Sequence, residues 1–128
     1  MHWLYIFLGG GLGAVSRFGL SSGIQTLAEH TRLQRFPVGI LACNLLGSFL
    51  IGCLFGYIAS RGNEHPAWLH PFAVTGFLGA FTTFSTFAKD THSLWSSGLT
   101  HFALLKISLS VILGLAAVVA GLKLTHPA

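Results

Sequence analysis

Between Pro37 and Arg61 the chain runs for 23 residues, Val38 to Ser60, without one charged side chain. That length and apolarity match the ~20 residues that carry an α-helix across a bilayer. Three further stretches resemble it: about Trp3 to Leu27, holding Arg17; about Trp68 to Ala88, crowded with Gly, Thr, Ser and Phe; and about Phe102 to Leu124, holding Lys106. Backbone polar groups in hydrocarbon must pair within their own segment, so spans of this length are helices. Four of them in 128 residues leave no room for a soluble domain. The expected fold is all-α integral membrane, with four transmembrane helices per chain in a single domain over residues 1–128.

Charge supports the same conclusion. Only 8% of residues are charged, against about 25% in soluble domains, too few to make a water-facing surface polar. The seven Lys and Arg are scattered singly, whereas a nucleic-acid binder gathers them on one face. No nucleic-acid partner is expected. The start is apolar from Trp3 without a basic leader region, so it reads as a retained membrane helix rather than a cleaved signal. Cys43 and Cys53 stand ten residues apart within one apolar run, about 15 Å on a helix. That is too far for a disulfide, and they read as small buried hydrophobes.

Loop Lys and Arg residues set the orientation of a membrane protein. Four spans place Arg61 and Lys123 on one side and Arg32, Arg35 and Lys89 on the other. Two against three is almost no bias, and a chain without bias can insert both ways up. Two such copies can pair antiparallel about an axis in the membrane plane. Helices associate in lipid through small residues that let backbones approach. Gly9, Gly10, Gly11 and Gly13, the Gly52/Gly56 pair, and Gly114 with Gly121 are placed for such seams.

The segment Thr75 to Phe87, T-G-F-L-G-A-F-T-T-F-S-T-F, is the most unusual in the chain. Gly76 and Gly79 followed by Thr82 and Thr83 make a poor helix interior, which predicts a break in the third span near Gly79 to Thr82. Carbonyls freed at membrane depth need a protein or polar surround, and as hard oxygens they suit an alkali cation. A glycine kink repaired by neighbouring hydroxyls explains the same residues.

Phe84 and Phe87 lie three apart on one helical face, with Thr83, Ser85 and Thr86 between and beside them. Aromatic rings are electropositive at the edge, so rings turned edge-on can receive a small anion without formal charge; plain packing is the alternative. Asn44, mid-span, carries two N–H donors suited to a partly dehydrated anion or to an interhelical bond. Ser108 and Ser110 add hydroxyls, and Arg17 is an intramembrane charge, a functional candidate by default.

Gly9-Gly10-Gly11-Leu12-Gly13-Ala14-Val15-Ser16-Arg17, Asn44-Leu45-Leu46-Gly47-Ser48 and Gly76 to Phe87 together resemble the signature segments of the bacterial Fluc/CrcB fluoride channels. The resemblance covers all four spans in order. It implies a single transmembrane channel domain, built as an antiparallel, dual-topology homodimer with two fluoride pores. It also implies passive export of fluoride from the cytoplasm across the bacterial plasma (inner) membrane, and a structural sodium ion (Na+) held at the dimer interface. By this resemblance Phe84, Phe87 and Asn44 coordinate the ion in the pore, Thr83, Ser85 and Ser110 line it, Arg17 and Lys106 belong to the vestibule, and Gly79 and Thr82 give sodium their carbonyls. The chain departs from the pattern twice: Ile40 stands where a Thr is common, and Lys106 where a neutral polar residue is expected.

A small four-helix proton-coupled multidrug exporter shares the size and topology. It needs an intramembrane carboxylate, whereas Glu29, Glu64 and Asp90 all read as lying in or beside loops. A plain membrane scaffold gives no reason for Asn44 and the Thr/Ser/Phe cluster. An enzyme is not expected: no nucleophile, His and acid set, and no metal-ligand cluster, falls at one depth.

Overall fold

The computed structural model describes residues 1–31 and 36–126. The order of elements is α1 (His2–Ala28), α2 (Val38–Arg61), a π-helix (His70–Leu78), a single turn α3 (Gly79–Phe81), α4 (Phe84–Ser96) and α5 (Thr100–Thr125). Among the described residues there is no strand. Three helices, α1, α2 and α5, are long and apolar enough to cross a membrane, and the protein is an all-helical, multi-pass membrane protein. Arg32 and Arg35, on which the loop charge tally rests, lie outside the described residues.

Helix ends sit where the local chemistry stops winding. Pro37 precedes α2, and the Gly39 N–H, among those without a partner in the first turn, donates to Gln25 Oε1 at 3.1 Å. Gly62, at φ 60°, ends α2. Gly98, at φ 81°, separates α4 from α5, and the Leu99 N–H returns to the Leu94 carbonyl at 2.8 Å. Both glycines occupy the left-handed region that residues with a Cβ avoid.

The core forms where backbones touch. At the α2–α5 crossing Gly52 faces the Val118 carbonyl and Gly121 the Phe49 carbonyl so closely that a Cβ at either would overlap backbone. The seam is completed by Thr125 Oγ1, which donates to the Cys53 carbonyl at 2.9 Å. Gly9 and Gly13 of α1 meet the Phe72 and Phe77 carbonyls of the π-helix in the same way. These glycines were legible as seam positions; Gly11 has nothing near it, and Gly114 meets only the Ser48 hydroxyl, 3.9 Å from where a Cβ would stand. Leu78 and Phe81 fill the interior. Large apolar side chains such as Phe7, Phe18, Ile112 and Leu115 face outward, a distribution suited to lipid rather than water.

Two expectations are corrected. The third stretch, expected over about Trp68 to Ala88 with a connection from Lys89 to His101 after it, does not stop there: α4 continues to Ser96 and only residues 97–99 link it to α5. The polar residues of that stretch share a helix with Phe84, Phe87 and Leu94, an amphipathic pattern that polarity alone disguises as a loop. Asp90 therefore lies within a helix, not beside a loop. Cys43 is buried, Cys53 is half-buried and both are free thiols, in keeping with their reading as small hydrophobes.

Candidate functional site

Helical winding from His70 stops after Phe81. Thr82 (φ −96°, ψ 150°) and Thr83 (φ −149°, ψ 124°) are extended, and winding resumes at Phe84. The extended pair coincides with the β-branched Thr-Thr, whereas Gly79 remains helical at φ −61° and ψ −37°. The expected interruption ran from about Gly79 to Thr82; the threonines rather than the glycines carry the non-helical backbone.

Asn44 braces this point from α2. Its Oδ1 accepts the Thr83 N–H at 3.1 Å, and its Nδ2 donates to the Thr83 carbonyl at 3.5 Å. The Thr83 N–H would otherwise close a turn on the Gly79 carbonyl, so the side chain replaces a helical bond. One N–H of the Asn44 amide remains for another acceptor. Opposite the break, Gly47 leaves room for the Thr82 methyl group, which occupies the place a Cβ would take. The Thr82 hydroxyl bonds back to the Leu78 carbonyl at 3.0 Å.

On the far side of the break Thr83 caps α4, its Oγ1 accepting the Thr86 N–H at 3.4 Å. The same hydroxyl lies 3.2 Å from Ser85 Oγ and donates to Thr86 Oγ1 at 3.4 Å, so three hydroxyls cluster at one helix start. Phe84 and Phe87 follow as a tilted pair, centroids 5.6 Å apart. The Phe84 ring is 78% exposed, as outward-facing as Phe7 or Phe18, and it stands beside a polar cluster.

Arg17 is half-buried, and its Nε donates to the Ala80 carbonyl at 3.1 Å. It thus satisfies one of the carbonyls left over where α3 ends. Sequence reasoning found Arg17 but not this bond, which joins residues 63 positions apart. Ser110 Oγ is buried and has no hydrogen-bond partner among the described residues; a buried hydroxyl without a partner is costly. Lys106 has no exposed surface.

A cavity of about 550 Å³ lies beside the cluster, its wall including Ser21, Ser22, Gln25, Ile40, Thr86 and Asp90. Ile40 thus stands at a cavity wall otherwise rich in hydroxyls. Arg17 and Lys106 are not among the lining residues. The carbonyls of Gly79 and Thr82 fit a hard cation in donor chemistry. The Thr83 N–H is taken by Asn44 and the Thr86 N–H by the Thr83 hydroxyl, so neither carbonyl receives its usual helical donor. Neutral oxygens of this kind suit alkali and alkaline-earth ions over softer metals.

Comparison with known proteins places this chain in a family. Residues 4–122 match the family described as CrcB-like protein, Camphor Resistance (CrcB). Relatives include the fluoride-specific ion channel FluC of Hahella chejuensis, 45% identical over 98% of this chain and 94% of its own length. The protein of the same name from Saccharophagus degradans is 41% identical over 97% of this chain and 89% of its own length, and that from Paracoccus denitrificans is 43% identical over 94% and 90%. A match spanning nearly every residue, break and brace included, leaves one conclusion: the chain is a member of the CrcB-like family of ion channels, which are not enzymes.

Proposed function

We propose that the protein is a fluoride channel that passively exports fluoride across the bacterial plasma (inner) membrane, and that it works as an antiparallel, dual-topology homodimer with two pores. The observation that carries this reading is the Phe84–Phe87 pair set directly after a hydroxyl cluster that Asn44 braces. A small, strongly hydrated anion surrenders its water only to donors placed close together. Here the free N–H of Asn44 and the ring edges of Phe84 and Phe87 supply donors with no fixed charge that would trap the ion, and the hydroxyls of Thr83 and Ser85, bonded to each other and to Thr86 in the single chain, add donors on turning toward it. The Ser110 hydroxyl, buried without a partner among the described residues, is a further donor on α5.

In this reading the helical residues before Thr82 and those after Thr83 are halves of one broken membrane helix, the third of four crossings of the chain. The exposed Phe84 ring is covered by the second copy, so each pore is complete only in the dimer. Gly79 and Thr82 of the two copies hold a sodium ion through their carbonyls. When bound, such an ion would supply a positive charge against those carbonyl oxygens. Arg17 already serves the neighbouring Ala80 carbonyl, so the chain itself supplies one cation to the same helix end.

The exporter reading loses part of its sequence objection, because Asp90 lies inside α4. The carboxylate faces the Lys106 ammonium at 3.9 Å, however, and so is engaged by a side chain of the protein itself. Purified protein reconstituted in liposomes loaded with fluoride tests the proposal: dissipating the membrane potential is expected to release fluoride and to leave chloride inside. Vesicles that keep their fluoride overturn it.

A further inference from the structure

Lys106 sits in the first half of α5, an apolar helix long enough to span a membrane, and is fully buried. A charge placed there is expensive unless partners surround it. All the partners described for its ammonium come from a single stretch of α4. Nζ donates to the Phe87 carbonyl at 2.8 Å and to Thr91 Oγ1 at 3.5 Å. It stands 3.9 Å from Asp90 Oδ2, and 4.5 Å from the centroid of the Phe87 ring.

Phe87 is thus engaged twice, by its carbonyl and by its face. An anchor between two helices needs only the carbonyl and the carboxylate; the ring contact does something different. A cation over an aromatic face is attracted by the negative charge there. It holds the ring by that face and draws electron density toward itself, which leaves the rim hydrogens more positive and free to meet an anion. Asp90, for its part, belongs to the wall of the cavity that Thr86, Ser21 and Ser22 also line. An unscreened carboxylate at that wall would repel any anion entering it, and Lys106 is the cation that faces it.

We propose that Lys106 is a positioning residue for anion passage: its ammonium holds the Phe87 ring by the face so that the rim is presented to the ion, and it cancels the charge of Asp90 at the cavity wall. The proposal rests on the fluoride reading above. It adds a fixed positive charge that acts through an aromatic ring, from behind the path rather than from within it.

Fluoride and chloride efflux from liposomes carrying equal amounts of wild type, Lys106→Met, and the double variant Lys106→Met/Asp90→Asn separates the two parts. The single variant leaves Asp90 uncompensated and is expected to lose most of the fluoride flux. The double variant removes both charges together, a change that buried pairs tolerate far better than loss of one partner, so it keeps the test readable if the single variant fails to fold. It is expected to fold and elute as wild type does, yet to conduct fluoride about tenfold more slowly, with weaker rejection of chloride, because Phe87 has lost its hold.

A merely structural role for the pair would change yield or elution and leave selectivity alone. Full wild-type flux and selectivity in the double variant overturn the part played through the ring. Unchanged flux in the single variant overturns the proposal as a whole. Both results require a conducting wild type, whereas a wild type that passes no fluoride removes the channel reading and this inference with it.

Discussion

The α2–α5 seam and the stretch from Gly79 to Phe87 belong to the same small molecule and obey opposite rules. In the seam, two unbroken helices approach until Gly52 and Gly121 touch the opposing backbone, and the Thr125 hydroxyl is fully engaged, shared between the Cys53 and Gly121 carbonyls. Polar groups there are consumed by structure. In the stretch around Thr82 and Thr83 the helix is given up, and a side chain from another helix, Asn44, replaces the missing bond. A large ring faces outward, and a hydroxyl on the neighbouring α5 goes unpartnered among the described residues. Satisfying every polar group makes a stable crossing; leaving a few unspent, in a chain that is otherwise this apolar, is how a crossing can come to admit an ion.

The comparison breaks most easily at the seam. Gly121→Val places a branched side chain where backbone already stands and should cost about 3 kcal/mol or more, seen as loss of monodisperse protein after extraction rather than as altered flux. Asn44→Ala and Asn44→Asp sharpen the difference between brace and donor. Alanine leaves the Thr83 N–H unpaired, at about 1–3 kcal/mol. Aspartate retains that acceptor but loses the donor to the Thr83 carbonyl and sets a negative charge beside the anion, so folded yield should fall no further than in the alanine variant while fluoride efflux is abolished in the protein that folds.

Thr83→Ala removes the α4 cap and is expected to lower stability by about 1 kcal/mol, measurable as a drop in thermal midpoint in detergent. Phe84→Ile should abolish fluoride efflux with little effect on stability, because the ring is largely exposed within one chain; conduction at the wild-type rate would remove the rings from the path. At the small end, Gly11→Ala meets open space and should shift the thermal midpoint negligibly, within about 0.5 kcal/mol. A large loss there would mean that a surface open in the single chain is closed in the assembly.

Much of this was legible before any coordinates. Uncharged runs gave the long helices because hydrocarbon offers no alternative to internal pairing, and the small residues at Gly9, Gly13, Gly52 and Gly121 gave the seams because only absence of a side chain permits such approach. The interruption at Thr82 and Thr83 was legible as a region and not as a residue, since glycine and β-branched threonine both disfavour helix and composition does not say which yields. What stayed hidden has a common cause. The bonds from Arg17 to Ala80, from Asn44 to Thr83 and from Lys106 to Phe87 join residues distant in sequence, and no periodicity records which helix faces which. The helical extension to Ser96 was missed because an amphipathic segment next to a bilayer carries the polarity of a loop.

The contact between Gly47 and Thr82 has a consequence for descent. The methyl group on one fills the vacancy left by the other, so neither position is at liberty to drift alone: alanine at 47 evicts the methyl, and a bulkier neighbour at 82 finds no berth. The two positions are thus bound to change together, although a whole loop and most of two helices separate them along the chain.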